Sequence, residues 1–164
     1  MILYLLRHAE AGLKTKHGDS KRALTEVGKQ QAMRMGAFFQ KHQIQLELVL
    51  TSPFCRAVKT MEAFFETSLT VPFLEVPWMA SGMSSETALK ELQAYKKLES
   101  VMLVGHEPDF SHLIATMLGM THAENVNVPK ASLTAIQLEK IASGTGVLQF
   151  LIPVELVDEK FLAS

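Results

Sequence analysis

The chain has 164 residues, of which 48% are hydrophobic and 20% charged, and this composition is typical of one globular domain. Its formal net charge of −1 provides no overall field to attract nucleic acid or an anionic membrane, so we expect neither as a partner. The single cysteine, Cys55, excludes an intrachain disulfide, and the N-terminal apolar stretch ends too early for a signal peptide or a membrane span. These features favour a cytoplasmic location.

Apolar runs alternate with helical patterns along the first half of the chain. Ile2 to Leu6 form an unbroken apolar run, which is typical of a strand buried on both faces. Thr25 is placed to cap a helix over the segment LTEVGKQQAMRMGAFFQKHQ. The segments ELVLTS, PFCRAVKTMEAFFE and TVPFLEV then predict a strand, a helix and another strand. The order predicted for this half is therefore βαβαβ.

The second half repeats this alternation and then changes character. SSETALKELQAYKKL predicts an amphipathic helix, SVMLVGH a buried strand ending in histidine, and DFSHLIATMLG a helix closed by Gly119. SLTAIQLE and GVLQFLIP, joined by the loop KIASGTG, predict two strands that pair as a hairpin. We therefore predict an α/β fold: a three-layer sandwich with a mostly parallel sheet, an antiparallel C-terminal edge and helices on both faces. Residues 1–164 are expected to form a single domain.

Three of the predicted strands end in residues suited to binding an anion. Arg7 and His8 follow the first strand, Ser52 to Arg56 follow the second, and His106 follows the strand before DFSHL. Because the carboxyl ends of parallel strands lie on one edge of a sheet, we expect these side chains to converge. Converging cations repel one another unless an anion lies between them, so the pattern favours an oxyanion pocket over three solvated loops.

Other phosphate-binding and metal-binding patterns are absent from the sequence. The motifs GxxxxGK[ST] and GxGxxG do not occur, and no arginine lies six residues after Cys55, which excludes a P-loop and a cysteine-phosphatase loop. His8 and Glu10 form H-x-E, but no P-C-x-x-C segment completes a zinc deaminase site. We therefore predict neither a metal ion nor a cofactor.

Four segments, LLRHAEA, RALTEVGKQQA, TSPFCRAVKT and VMLVGHEPDFSHL, occur in an order that resembles the histidine phosphatase superfamily. The short length and the C-terminal strands are similar to its SixA-type phosphohistidine phosphatases. The resemblance implies a phosphoglycerate mutase-like fold and a metal-independent phosphatase, with His8 as nucleophile and with Arg7, Arg56 and His106 forming the phosphate pocket. It also implies that the substrate is a phosphohistidine on a partner protein, such as a histidine phosphotransfer domain.

The sequence departs from the superfamily pattern in two places. Ala9 stands where many members have glycine after the histidine, and MASGMS occupies the place where phosphomonoesterases and mutases carry an acidic proton donor. Glu75 and Glu107 are candidate donors, although Glu75 can pair within its strand and Glu107 can serve the N-terminus of the following helix. An imidazole leaving group, whose conjugate acid has a pKa of ~6.5, needs little help from an acid.

Two alternative functions stay open at the level of sequence. A small-molecule phosphomonoesterase or mutase of the same superfamily would need a working acid and a cap over its substrate, whereas a non-catalytic phosphate-binding module would need neither. The short segment VPWMASGMS predicts no sizeable cap insertion and hence an open crevice. Within that segment, Trp78 and Met79 belong either to the core or to a rim where a partner docks.

Overall fold

Six strands and four α-helices build the part of the chain that this computed structural model describes, residues 1–13, 18–66 and 71–158. They are β1 (Ile2–Arg7), α1 (Glu26–Lys41), β2 (Leu48–Thr51), α2 (Cys55–Phe64), β3 (Phe73–Glu75), α3 (Ser85–Leu92), β4 (Ser100–Gly105), α4 (Asp109–Leu118), β5 (Leu133–Leu138) and β6 (Gly146–Ile152). Each strand and helix expected from the sequence is present. Within the described ranges, no helix is long and apolar enough to cross a membrane.

The strands form one sheet in the order β3-β2-β4-β1-β5-β6. β4 lies between β1 and β2 and is parallel to both, and β2 is also parallel to β3. β5 runs antiparallel to β1, and β6 runs antiparallel to β5. The mostly parallel sheet with an antiparallel C-terminal edge is therefore confirmed.

The sheet is covered on both faces, as its unbroken apolar strands require. One face packs Tyr4 and Leu6 of β1 against side chains of α1 and α2, among them Met35, Phe39 and Phe64. The other face packs Leu3 and Leu5 of the same strand against α3 and α4, including Leu92, Phe110 and Leu113. The three-layer arrangement predicted from the sequence is confirmed.

The loop that follows β1 is fastened to the start of α1. The Thr25 hydroxyl accepts the backbone N–H of Gly28 at 3.0 Å, which confirms the predicted helix cap, and it donates to Oε1 of Glu10 at 2.8 Å. A Cβ on Gly28 would lie 1.9 Å from the carbonyl oxygen of Glu10, so only glycine allows this close approach. The chain directly after His8 is thereby held in one place.

The segment between β3 and α3 lies against the body of the protein. Met79 is buried in the core beside α4, and Trp78 packs against the same cluster. The Asp109 carboxylate at the start of α4 accepts the backbone N–H groups of Gly82 at 2.9 Å and Met83 at 3.2 Å. The sequence left open whether Trp78 and Met79 lie in the core or at a docking rim. The structure places Met79 in the core and Trp78, partly buried, against the same cluster.

Candidate active site

The ends of β1, β2 and β4 meet at one edge of the sheet. The backbone N–H of His8 donates to the Gly105 carbonyl at 2.9 Å, and the backbone N–H of Ser52 donates to the Val104 carbonyl at 2.9 Å. β4 lies between β1 and β2 in the sheet. The two bonds therefore extend the parallel pairing on each side of β4 by one residue beyond β1 and β2. The side chains that follow each strand are consequently neighbours, as the sequence predicted.

The His8 ring is held in one tautomer by the chain that follows it. Its Nδ1 lies 2.7 Å from the carbonyl oxygen of Ala9, and a carbonyl only accepts, so Nδ1 carries the proton. The backbone N–H of Ala9 in turn donates to Thr60 Oγ1 at 3.0 Å, which fastens this turn to α2. The lone pair of the neutral ring is therefore on Nε2, the nitrogen that is left for reaction.

Burial and positive charge keep His8 neutral. Desolvation lowers the pKa of His8 to about 4, the bond to the Ala9 carbonyl opposes this, and the charges of Arg56, Arg7 and Arg22 lower it further. An imidazole with such a pKa is unprotonated at neutral pH. It can act as a nucleophile without first losing a proton to a base.

His106 is the second buried imidazole of the site, with its ring centroid 5.3 Å from that of His8. Its Nε2 lies 2.7 Å from the Ser52 hydroxyl, and its ring contacts that of Phe54 at 5.2 Å between centroids. Burial lowers the pKa of His106 to about 3, and the Arg56 charge acts in the same direction. His106 is therefore neutral at physiological pH. It offers an N–H to the site but adds no positive charge to those of Arg7 and Arg56.

The two arginines of the predicted pocket are anchored at one end of their guanidinium groups. Nη1 of Arg7 donates to the Val128 carbonyl at 2.6 Å, and Nη1 of Arg56 donates to Asp19 Oδ2 at 3.0 Å. The Arg56 guanidinium also lies over the Phe54 ring, 5.0 Å from its centroid, and Arg56 is only 4% exposed. Both side chains are thus held in place before any ligand arrives.

Three buried nitrogens of the site have no hydrogen-bond partner among the described residues: Arg7 Nε, Arg56 Nε and His106 Nδ1. Buried polar groups of this kind are rare, because each one loses its water without gaining a partner. Their clustering beside His8 is explained if a multivalent oxyanion binds there, since such an anion accepts several hydrogen bonds at once. The geometry therefore supports the predicted anion pocket.

The chain is similar in sequence and in fold to known phosphatases. The family model described as histidine phosphatase superfamily (branch 1) matches residues 3–75. The phosphohistidine phosphatase SixA of Escherichia coli (strain K12) is 28% identical over 126 residues, which cover 71% of this chain and 74% of that protein. A structure of the protein histidine phosphatase SixA complexed with tungstate superposes with a TM-score of 0.85, at 22% identity, over 96% of this chain and 100% of the other.

The chain is thus similar to the histidine phosphatase superfamily, in sequence over residues 3–75 and in fold over nearly its whole length. It is accordingly a hydrolase of the histidine phosphatase type, and its fold is phosphoglycerate mutase-like. The same fold serves a small-molecule enzyme: the α-ribazole phosphatase of Shigella flexneri superposes with a TM-score of 0.77 at 20% identity, over 94% of this chain and 97% of the other. The fold alone therefore does not decide the substrate.

Two charged residues near the site, Asp19 and Arg22, were not predicted from the sequence. Arg22 donates through Nε to the Gly12 carbonyl at 2.6 Å and through Nη1 to Asp19 Oδ1 at 3.0 Å. Its charge is close enough to contribute to the lowered pKa of His8. Asp19 begins a single 3-10 turn, Asp19–Lys21, and Arg22 follows it. This short turn has no apolar period, so the only available signal was the position of Arg22 inside the segment RALTEVGKQQA.

The two candidate proton donors occupy different places. Glu107 follows His106 directly, and its Oε2 accepts the backbone N–H of Ser111 at 3.1 Å, which is the helix-terminal role weighed from the sequence. Its negative charge also favours the charged form of Arg7, whose pKa burial lowers. Glu75 ends the exposed edge strand β3, which β2 and β4 separate from β1. Glu107 is therefore much closer in the sheet to His8 than Glu75 is.

The two buried histidines predict a loss of stability in mild acid. Their pKa values are lowered from 6.5 to about 4 and about 3, so the unfolded chain binds more protons than the folded chain below pH 6.5. The free energy of unfolding should fall on the order of 1–2 kcal/mol per histidine between pH 7 and pH 5. Urea denaturation at the two pH values, comparing the wild type with a His8→Ala/His106→Gln double variant, measures the effect.

The double variant should lose much less stability than the wild type over this pH range. His122→Gln is the matched control, because the His122 side chain is 64% exposed and pairs only with an exposed glutamate. It should retain the wild-type dependence. Equal losses in the wild type and the double variant would show that His8 and His106 are not the groups responsible.

Proposed function

We propose that this protein is a phosphohistidine phosphatase that removes phosphate from a phosphohistidine on a partner protein, by way of a covalent phosphohistidine on His8. The observation that carries the proposal is the state of His8. Its ring is neutral, its Nδ1 is bonded to the Ala9 carbonyl, and its ring centroid lies 5.3 Å from that of His106, one of the groups with a buried nitrogen that has no partner among the described residues.

In the first step, His8 Nε2 attacks the phosphorus of the substrate. The new N–P bond forms while the bond from phosphorus to the substrate imidazole nitrogen breaks. The substrate ring, protonated by solvent on its other nitrogen, takes the bonding electron pair and leaves as neutral imidazole. Water then attacks the phosphorus of phospho-His8, which releases inorganic phosphate and returns His8 to its neutral form. Each step transfers a phosphoryl group through a loose transition state, whose charge lies mainly on the three equatorial oxygens.

Arg7, Arg56 and His106 are the groups proposed to stabilise those oxygens. The Nε–H groups of the two arginines are buried and have no partner among the described residues. Each guanidinium is anchored through Nη1, which limits the reorganisation that binding an anion requires. His106 adds Nδ1 as a further donor when the Ser52 hydroxyl donates to its Nε2. Positive charge is thus supplied by the chain itself, and we propose that no metal ion takes part. No cluster of metal-ligating side chains occurs among residues 1–13, 18–66 and 71–158.

A phosphohistidine substrate fits the weak provision of acid at the site. Glu107 is engaged by the N-terminus of α4, and Glu75 lies on the far edge of the sheet. An alkoxide leaving group needs a proton in the transition state, whereas the substrate imidazole can take a proton from water on its other nitrogen beforehand and then leaves as a neutral ring. If a protein group does donate a proton, Glu107 is the better placed of the two.

The open side of the site favours a substrate carried by a protein. Residues 76–84, the segment in the place of a cap, are tied to Asp109 and packed onto the core. A phosphohistidine on the surface of a folded partner, such as a histidine phosphotransfer domain, can therefore approach the anion pocket. We propose that this exchange takes place in the cytoplasm.

A substrate panel tests the proposal. We expect kcat/KM for a phosphorylated histidine phosphotransfer domain to exceed that for phosphoserine and a sugar phosphate by at least about 100-fold, or roughly 2.7 kcal/mol of transition-state stabilisation. A phosphohistidine peptide should fall between them, because it has the same leaving group without the partner surface. All assays should contain a chelator, which should leave the rates unchanged.

The small-molecule alternative makes the opposite prediction. Phosphoserine or a sugar phosphate that reacts as fast as the phosphohistidine protein would contradict both the open crevice and the weak acid. Loss of activity in chelator, restored by Mg²⁺ or Zn²⁺, would contradict the metal-independent pocket.

A further inference from the structure

Asp19 lies between Arg22 and Arg56 and contacts both. Its Oδ2 accepts Nη1 of Arg56 at 3.0 Å, and its Oδ1 accepts Nη1 of Arg22 at 3.0 Å. Its backbone carbonyl also accepts Nη1 of Arg56 at 3.1 Å and the backbone N–H of Arg22 at 3.2 Å. One residue therefore connects the two guanidinium groups, although Asp19 and Arg56 lie 37 positions apart in sequence.

These contacts leave a particular edge of Arg56 free. Asp19 takes only Nη1, whereas Nε is buried and without a partner in the described part of the chain. The edge formed by Nε and Nη2 is the one that can donate two parallel hydrogen bonds to a phosphate. The Phe54 ring, 5.0 Å from Cζ, restricts rotation of the guanidinium plane. Asp19 and Phe54 together thus fix which edge of Arg56 is available for an anion.

Arg22 is held by the same carboxylate. Its Nε is bound to the Gly12 carbonyl and its Nη1 to Asp19, and its charge contributes to the low pKa of His8. Without a carboxylate between them, Arg22 and Arg56 would repel each other and would be free to turn towards solvent. The Asp19 side chain is 41% exposed, so its role in the apolar core is small.

We propose that Asp19 is a positioning residue, whose carboxylate holds Arg22 in place and presents the Nε edge of Arg56 to the phosphoryl group. The identity of the group that carries the phosphate rests on the proposed function, but the placement of the arginines does not. A carboxylate near an anion site would hinder binding if only its charge mattered. Because the Asp19 carboxylate bonds both arginines, its contribution is to orient their guanidinium groups.

Asp19→Asn tests this role, because it keeps the size of the side chain and removes its charge. We expect kcat to fall roughly 10- to 100-fold, the range that follows when a catalytic group is displaced by about 1 Å. Glu62→Gln is the matched control, since Glu62 is 47% exposed and pairs with Lys59 at 2.6 Å. It should keep wild-type activity. The thermal midpoint of Asp19→Asn should stay within a few degrees of the wild type, and a much larger decrease would show a folding role instead.

A double-mutant cycle with Arg56→Lys separates orientation from charge. If Asp19 acts through Arg56, then Arg56→Lys should reduce activity much less in the Asp19→Asn background than in the wild type. Additive effects of the two substitutions would overturn the proposal. Faster turnover by Asp19→Asn would also overturn it, because that is the result expected from removing a repulsive charge.

The same cycle should be measured by calorimetric titration with tungstate, an oxyanion that needs no turnover. The Arg56→Lys substitution should weaken tungstate binding strongly in the wild type and only slightly in Asp19→Asn. The tungstate titration tests the role of Asp19 separately from the proposed phosphohistidine substrate. A protein that fails to hydrolyse phosphohistidine but shows this coupling would refute the proposed substrate and support the role of Asp19. Turnover of phosphohistidine without coupling in either measurement would do the reverse.

Discussion

His8→Ala should abolish turnover, with a decrease on the order of 10⁴-fold or more, which is the scale observed when an enzyme loses its nucleophile. The substitution removes Nε2, the atom proposed to form the bond to phosphorus, and leaves the oxyanion pocket in place. Incubation with a radiolabelled phosphohistidine protein, stopped in alkali, should show phosphate on the wild-type chain and none on the variant. Alkali is needed because phosphohistidine hydrolyses in acid.

The fold of the His8→Ala variant should remain intact. The His8 ring lies at the sheet edge directly after β1, and its burial carries a desolvation cost. Removing the ring relieves this cost and leaves a small cavity, so the two effects on stability oppose each other. The thermal midpoint should therefore change by only a few degrees. His122→Ala, which changes an exposed histidine, should be fully active. Undiminished hydrolysis by His8→Ala would exclude the covalent route and leave direct attack by water.

Arg56→Ala should reduce kcat by roughly 10²- to 10³-fold, the loss expected for one donor to a developing oxyanion. Arg56 is 4% exposed, its guanidinium is held by Asp19 and Phe54, and its Nε has no partner among the described residues. The Nε–H of Arg56 is thus available to donate to a ligand. Steady-state kinetics with the phosphohistidine protein measure the loss.

Arg56→Lys separates charge from shape at the same position. Lysine retains one positive charge but cannot donate two parallel bonds to a phosphate, so it should recover only part of the activity. Circular dichroism of both variants should match the wild type, because Arg56 lies in the first turn of α2 and contributes little to the apolar core. Full activity in Arg56→Lys would show that the site needs only a point charge there.

Repulsion among the charged groups of the site is limited because both imidazoles are neutral. The arginines remain charged at any physiological pH, so protonating His8 or His106 would add repulsion and a desolvation cost. The pKa values of about 4 and about 3 express these two effects. For His8 this state is also the reactive one, since only the neutral ring has a lone pair on Nε2.

Several features of this site were accessible from sequence because they depend on local patterns. Short apolar runs and helical periods define the alternation of strands and helices, and that alternation makes β1, β2 and β4 parallel. Residues directly after these strands, such as His8 and His106, then have to share one edge of the sheet. No contact had to be known to predict that they meet.

Other features depend on contacts between segments that lie far apart in sequence. Asp19 and Arg56 are 37 positions apart, and Asp19 belongs to a loop whose path no periodicity predicts. The choice between core and rim for Met79 depended on the packing of α4. In the same way, the engagement of Glu107 by Ser111 required the actual start of that helix.

The sequence by itself determined the α/β class, the order of elements and the set of residues at the strand ends, because each follows from apolar spacing along a short stretch of chain. Only the tertiary structure decided the tautomer of His8, the neutral state of both histidines and the free edge of Arg56. These properties are set by burial and by individual hydrogen bonds, to the Ala9 carbonyl in one case and to Asp19 in another. Such bonds form only when the layers have packed, and a shift of about 1 Å would break them.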